Sequence, residues 1–270
     1  MKIIKTLGFV AATVGVLIGD VTAKGVRFLQ ATTITQDETH DWVWDGHVLS
    51  PEDQGSCEAD WAFALMTAIE GHYSINNNQG LHNFSEQFLI DCFGQFFADT
   101  DFCSATTEVE PQLALEYLID TQSQIPKSWQ YLYQGTQQEC QILDEDIVNG
   151  QTVASYNTLI EPTLDETLEA LSDGPLVARI IGDRSVIEAY QSGQTLQDCQ
   201  DGDNETVEES IWVNIVGYHY KPWSGEQKFR VKFPWGPQWG DGGYAFVNAV
   251  SEDVDGICGL RQEIITVALN

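Results

Sequence analysis

The stretch of sequence that decides the fold runs from residue 53 to residue 63 and reads Asp53-Gln54-Gly55-Ser56-Cys57-Glu58-Ala59-Asp60-Trp61-Ala62-Phe63. From Asp60 to about Ser74 the apolar side chains recur at helical spacing, which predicts a buried helix that begins at Asp60. A carboxylate at a helix start can accept hydrogen bonds from free backbone N–H groups and faces the positive end of the helix dipole. Asp60 therefore has a structural role available before any chemical role is considered.

The rest of the chain changes character about halfway along. Ser85 supplies an N-cap for a second predicted helix, and Pro111 opens a third. The apolar positions of the third helix are Leu113, Leu115, Tyr117 and Leu118. From about Thr152 the apolar runs become shorter and richer in β-branched residues, which predicts strands at 176–181, 211–216, 229–233 and 244–247. A helical half followed by a β-rich half predicts an α+β protein.

Composition narrows the function classes. The chain has 270 residues, of which 41 are Asp or Glu and 12 are Lys or Arg, so its formal net charge is −29. This charge excludes binding to nucleic acid or to an anionic membrane, because like charges repel. Hydrophobic residues make up 43% of the sequence, enough to bury a sizeable core. No cofactor is expected, and Ca²⁺ is the cation that so many carboxylates would suit.

The first residues resemble an export signal. Lys2 and Lys5 precede an apolar run of residues 7–19, and Val21-Thr22-Ala23 is a small-residue cleavage site. We expect residues 1–23 to be a signal peptide and residues 24–40 a short N-terminal segment, and we expect no membrane span, because the run is too short. The protein is then secreted or lumenal, in a lysosome-like or granule compartment or outside the cell.

In an exported protein the cysteines can form disulfides and two Asn-X-Ser/Thr sequons can be glycosylated. The six cysteines are an even number, which in an oxidising compartment predicts three disulfides, although their spacing alone leaves the pairing open. Asn83 and Asn204 each begin an Asn-X-Ser/Thr sequence and are candidate glycosylation sites.

The segment from Cys57 to Trp61 resembles the active-site segment of papain-like cysteine peptidases, whose nucleophile signature is C-G-[SA]-C-[WY]. Further motifs of that family follow in order along residues 41–270. They are Ser85-Glu86-Gln87 with Asp91-Cys92, Gly174-Pro175-Leu176-Val177, Val216-Gly217-Tyr218, Trp235-Gly236 with Trp239-Gly240-Asp241-Gly242-Gly243-Tyr244, and Cys258-Gly259-Leu260. Residues 41–270 therefore resemble the mature domain of this family.

The resemblance implies the papain-like two-lobe fold, with a helical N-terminal lobe, a β-barrel-like C-terminal lobe and a cleft between them. It implies the disulfides Cys57–Cys103, Cys92–Cys140 and Cys199–Cys258. It also implies that Thr106, Trp212 and Trp235 line the cleft. The family carries a long inhibitory prosegment, for which residues 24–40 are too few.

The family's chemistry needs a thiolate, a histidine that activates it, an amide that orients the histidine, and a glutamine at the oxyanion. Carried over one position at a time, the resemblance puts Asp60 at the nucleophile position and Ile211 at the histidine position. It puts Phe233 at the orienting position, whereas Gln54 keeps the oxyanion position. The histidines of this chain match no cleft position. Glu58 and Asp60 together could attract a cation, although two carboxylates do not make a metal site.

These positions favour a secreted, catalytically inactive homologue that acts by binding an unidentified protein or peptide or as a structural component. One alternative is a working peptidase with non-standard catalytic groups. Another is an acidic storage protein condensed by Ca²⁺ in granules, as the net charge of −29 would permit. We also hypothesise that Ile211, Trp212 and Phe233 plug part of the cleft with apolar side chains. The alternative is that Trp212 and Phe233 belong to the ordinary core.

Overall fold

Helix α1 (Asp60–Asn77) begins at the residue where the sequence predicts a helix and runs three residues past Ser74. The computed structural model of the chain describes residues 34–77, 80–97, 100–105, 107–141, 150–200 and 209–270. The expected signal peptide, Thr106 and Asn204 lie outside these residues. Most of α1 is buried, so its apolar side chains surround the helix rather than forming one stripe.

The helical part of the protein is built around α1. Ser85 caps helix α2 (Glu86–Phe88) by accepting a hydrogen bond from the N–H of Phe88, and a π-helical turn (Leu89–Phe93) continues it. Helix α3 (Pro111–Thr121) starts at the proline, as predicted. Its buried face carries Leu115 and Leu118, whereas Leu113, predicted as an apolar core position, is 46% exposed. Trp61, Phe93 and Phe102 pack edge to face inside this core.

Six strands of the second half form an antiparallel sheet in the order β2-β7-β3-β4-β5-β6, and the short strand β1, from the first half, pairs with β4 as the seventh strand. The strands are β1 (His40–Asp41), β2 (Val153–Ile160), β3 (Leu176–Gly182), β4 (Glu209–Lys221), β5 (Glu226–Lys232), β6 (Tyr244–Asn248) and β7 (Glu263–Leu269). All four predicted strands are present, and β2 and β7 were not predicted. The fold is α+β, as the sequence predicts.

Two helices interrupt this β-rich half and were not predicted. Helix α4 (Leu164–Asp173) begins with a capping box, in which the Thr163 side chain accepts the N–H of Glu166 and the Glu166 carboxylate accepts the N–H of Thr163. Helix α5 (Arg184–Glu188) follows β3 directly. The pattern S/T-x-x-E before Leu164 was the sequence signal that would have identified α4.

Two hydrophobic cores meet along α1. One surrounds Leu65 and Ile69 of α1 and includes Val177 and Ile265 from the sheet, while the other lies between the strands around Val231. Helix α1 passes close to the start of β3 at Gly71. A Cβ on this residue would come within 2.5 Å of Pro175, so a larger side chain would force the two elements apart. The sheet is thus packed directly against the central helix, and the cleft lies where α1 begins.

The cysteines are paired as the resemblance implies, in the disulfides Cys57–Cys103, Cys92–Cys140 and Cys199–Cys258. The first two join segments of the helical half and the third joins two segments of the β-rich half. Among the described residues, no helix combines the length and the apolar character needed to cross a bilayer.

The capping box of α4 gives a direct test of the local account. Replacing its cap by Thr163→Ala leaves the N–H of Glu166 without its partner and should lower the free energy of unfolding by about 1 kcal/mol. Urea unfolding followed by circular dichroism measures the change. Ser172→Ala, near the end of the same helix, is the matched control and should change stability by less than about 0.5 kcal/mol. Equal losses from the two variants would contradict a specific role for the cap.

Candidate functional site

A cavity of about 340 Å³ opens where the start of α1 faces β4. Asp60 and Ile211 lie in its wall beside Trp212 and Trp235. The rest of the lining is mostly polar and comes from the residue Glu58 before α1, from the segment after Cys103, from β3, from α5 and from the start of β4. It consists of Glu58, Ser104, Ala105, Thr107, Glu108, Val109, Glu110, Arg179, Arg184, Glu209 and Ser210. Of the three residues expected to line the cleft, two are found there, and Thr106 lies outside the described residues.

Asp60 connects helix α1 to strand β4. One carboxylate oxygen accepts the backbone N–H of Trp61 at 2.8 Å, and the other accepts the backbone N–H of Trp212 at 2.8 Å. Trp212 precedes the point where β5 starts to pair with β4, at Asn214, so its N–H is satisfied by the carboxylate instead of by a neighbouring strand. The side chain at the helix start therefore joins the two halves of the cleft.

The charge of Asp60 is suppressed by its surroundings. Burial raises the pKa of its carboxyl to about 7, and the nearby Glu58 raises it further, while the N–H groups of Trp212 and Trp61 and the charge of Arg184 lower it. The desolvation cost exceeds the hydrogen-bond gain. Asp60 is thus protonated in a large fraction of molecules near neutral pH.

The amide of Gln54 is already engaged. Its Nε2 donates to the Glu58 carboxylate at 2.8 Å, and Gln54 is only 2% exposed. Glu58 in turn pairs with Arg184 at 3.2 Å. An amide N–H at this position can hold an oxyanion, but here one of the two N–H groups donates to a carboxylate, whose charge would repel the oxyanion.

Arg184 lines the cavity and forms several ion pairs there. Besides Glu58 it pairs with Glu188 at 2.8 Å and with Glu209 at 3.6 Å, and its guanidinium lies 5.7 Å from the ring centre of Trp235. Neither Arg184 nor Glu209 was predicted as a site residue from the sequence. The i,i+4 spacing of Arg184 and Glu188 indicated a local pair, but nothing in the sequence indicated the contact with Glu58, 126 residues earlier in the chain.

The hypothesis of an apolar plug is wrong in part. Ile211 and Trp212 line the cavity and are 3% and 5% exposed. Phe233 does not line it, because it is fully buried against Trp239, with ring centres 4.4 Å apart, and against Trp235. The Phe233 ring therefore belongs to the hydrophobic core, and the cavity itself keeps a charged lining.

Neither a thiol nor an imidazole lies among the described residues that line the cavity. All six cysteines are within the described residues and all are in disulfides. The five histidines are likewise described, and none is in the lining. His219 instead contacts Asp41 at 2.6 Å, where Asp41 also pairs with Arg230. Within the part of the chain that the structure covers, no group of His, Cys, Asp and Glu is arranged to hold a metal ion.

The sequon at Asn83 lies in a packed environment. The Asn83 side chain donates to Glu52 at 2.9 Å, and Ser85 is 1% exposed and donates to the carbonyl of Tyr131. The bond to Glu52 uses the same nitrogen to which a glycan would be attached. The other sequon, at Asn204, lies outside the described residues.

Comparison with known proteins gives a consistent result. Residues 36–268 match the sequence model of the family described as "Papain family cysteine protease". Among curated proteins, Vignain of Ricinus communis is 28% identical over 236 residues, covering 87% of this chain and 61% of the relative. Vignain of Vigna mungo is 30% identical over 224 residues, covering 82% of this chain and 57% of the relative. The chain thus spans about 60% of the length of these relatives.

Solved structures with the same fold include two plant proteases. Bromelain from Ananas comosus, in complex with the E64 inhibitor, has a TM-score of 0.71 at 24% identity, covering 88% of this chain and 100% of that chain. The ragweed allergen Amb a 11, a cysteine protease solved in its proform, has a TM-score of 0.71 at 26% identity, covering 90% of this chain and 69% of that chain. The first likeness concerns the fold alone.

The raised pKa of Asp60 predicts a pH dependence of stability. Because the folded state keeps this proton to about pH 7 while the unfolded chain releases it near the ordinary value of 3.8, stability falls as pH rises between these two values. The full difference is at most about 4–5 kcal/mol, at about 1.4 kcal/mol for each pKa unit. Asp60→Asn should flatten this part of the pH profile in urea unfolding.

The control is Glu252→Gln, which changes an exposed residue. Its profile of stability against pH should be the same as that of the unmodified protein. The amide that Asp60→Asn introduces has a single accepting oxygen in place of two, so this variant should also be less stable below pH 4. If the profiles of Asp60→Asn and the unmodified protein run parallel between about pH 4 and 7, burial does not raise the pKa of Asp60.

Proposed function

Since this chain belongs to the papain family of cysteine proteases, we propose that it is a member without peptidase activity, which acts by binding a peptide or protein in its cleft or as a structural component. The observation that carries the proposal is the position of Asp60. It stands at the start of α1, in the cavity wall, with both carboxylate oxygens bonded to backbone N–H groups.

Asp60 is chemically unsuited to replace a thiolate. A carboxylate is a weak nucleophile towards amides, and its attack on a peptide would give a mixed anhydride, which is uphill from the amide. The leaving amine also needs a proton, and Ile211 has none to give. Loss of one member of a catalytic triad costs about 10⁴ to 10⁶ in rate, and losses of several members do not restore one another.

Gln54 is the group that this chain keeps at the oxyanion position, and one of the two N–H groups of its amide is engaged. One N–H of the Gln54 Nε2 donates to Glu58 at 2.8 Å, so a carboxylate lies beside the position where a negative charge would develop. Removing one oxyanion donor costs about 10² to 10³ in rate. The arrangement around Gln54 therefore adds to the effect of the three replaced positions.

The scaffold itself is intact, which favours a binding role over decay. Three disulfides, each closing a loop of 46 to 59 residues, stabilise the two halves by about 4 kcal/mol each in the chain-entropy model. Such bonds persist in oxidising compartments. We accordingly propose that the protein is secreted or lumenal.

A peptidase assay tests the proposal. Fluorogenic peptides incubated with the unmodified protein between about pH 3 and 8 should give no turnover above that of the Asp60→Ala variant, because neither a thiol nor an imidazole is among the described residues that line the cavity. A thiol-directed epoxide should likewise leave the protein unlabelled, since all six cysteines are in disulfides. Turnover that disappears in Asp60→Ala would instead support the alternative of a working peptidase with unusual groups.

A restoration experiment tests the role of Glu58 separately. The triple variant Asp60→Cys, Ile211→His and Phe233→Asn should remain about 100-fold less active than the quadruple variant that also carries Glu58→Gly, because only the second removes the carboxylate that accepts one Gln54 N–H and repels a developing negative charge.

Phe233→Asn removes a fully buried ring and should cost about 3–5 kcal/mol of stability, so the folded fraction of each variant is measured first by circular dichroism. The epoxide then titrates the new thiol in the folded protein. Equal activity of the triple and quadruple variants would show that Glu58 does not block the oxyanion position.

A further inference from the structure

The lining of the cavity carries more negative than positive charge. It contains five carboxylates and two guanidinium groups. Arg184 pairs with Glu58 and Glu209, and Arg179 pairs with Glu110 at 3.9 Å. Among the described residues no ion pair reaches the other two carboxylates of the lining, Asp60 and Glu108. The cavity therefore retains negative potential after its internal pairs are counted.

The aromatic walls suit a cation as well. The Arg179 guanidinium lies 5.4 Å from the ring centre of Trp212, and the Arg184 guanidinium lies 5.7 Å from that of Trp235. Tryptophan is the aromatic side chain that attracts cations most strongly. The chain's own arginines thus contact both rings in this way, and both rings line the cavity together with its five carboxylates.

The size of the cavity limits what can enter. Its volume of about 340 Å³ lies at the lower end of the range for small-molecule sites. This volume accommodates one long side chain. The net charge of −29 also attracts basic partners over long distances.

We propose that this cavity binds the cationic side chain of a lysine or arginine from a basic peptide or protein, with Glu108 and Asp60 as the acceptors and Trp212 and Trp235 as the walls. The inference rests on the proposed function, in which the cleft binds a ligand instead of cutting it. Glu108 is exposed and can meet the cation at the opening, while Asp60 is set deeper beside Trp212.

The protonation of Asp60 adds a second readout. A bound cation favours the carboxylate over the carboxylic acid, so affinity should rise with pH as Asp60, whose pKa is about 7, loses its proton. The charged groups that share the cavity with Asp60 come from every element around it. They are Glu58, Glu108, Glu110, Arg179, Arg184 and Glu209.

Fluorescence anisotropy with labelled alanine-rich peptides tests the proposal. The peptides differ only at a central residue, which is lysine, arginine or the uncharged norleucine. The lysine and arginine peptides should bind the unmodified protein about tenfold more tightly than the norleucine peptide, and their affinity should increase between about pH 6 and 8.

The variants Glu108→Gln and Glu252→Gln separate the cavity from the overall charge. Each removes one exposed negative charge, but Glu252 is not in the lining. Glu108→Gln should weaken the binding of the lysine peptide about two- to fivefold and leave the binding of the norleucine peptide unchanged. Glu252→Gln should change the affinity of neither peptide. Equal losses from both variants, or equal binding of lysine and norleucine, would overturn the proposal.

Mass spectrometry of the peptides after each titration keeps the two proposals apart. Intact peptides without a preference for lysine or arginine would contradict the cation site and leave the proposed function standing. Cleaved peptides would contradict the proposed function, and the preference measured at early times would still decide the cation site.

Discussion

The hydrogen bond from the Trp212 N–H to the Asp60 carboxylate is the contact on which the cleft depends. It satisfies a backbone donor that β5 cannot reach, and it fixes the start of α1 against the sheet. A buried donor left without a partner costs about 1–3 kcal/mol. The carboxylate is itself costly to bury, which is why its pKa rises to about 7. A residue bound to the backbone through both oxygens is placed to hold the fold together, and this is the role that we propose for it.

The charged groups around this bond explain the character of the cavity. Glu58 lies between the Gln54 amide and Arg184, so one side chain engages the amide donor and also connects the start of α1 to α5. Exposed ion pairs contribute little to stability, but partly buried ones hold their geometry better. The cavity keeps a defined shape and a negative lining, properties suited to selective binding.

Features that depend on residues close together in the chain could be predicted from the sequence. The start of α1 at Asp60, the cap at Ser85 and the start of α3 at Pro111 follow from residue types that act within one turn of a helix. The motifs predicted the fold and the disulfide pairs. The burial of Phe233 behind the cavity could not be predicted, because an apolar residue after a strand suits either a core or a cleft. The contact of Arg184 with Glu58 joins segments far apart in the chain, and no local pattern encodes it.

Hydrogen exchange at the Trp212 amide tests the central claim most directly. If the Asp60 carboxylate accepts this N–H in the folded protein, the amide exchanges slowly, and Asp60→Ala accelerates its exchange while the amide of Ile215, in the centre of β4, stays protected. If the Trp212 amide exchanges equally fast in the unmodified protein and in Asp60→Ala, the carboxylate is not bound to β4, and its assignment as a structural group is wrong.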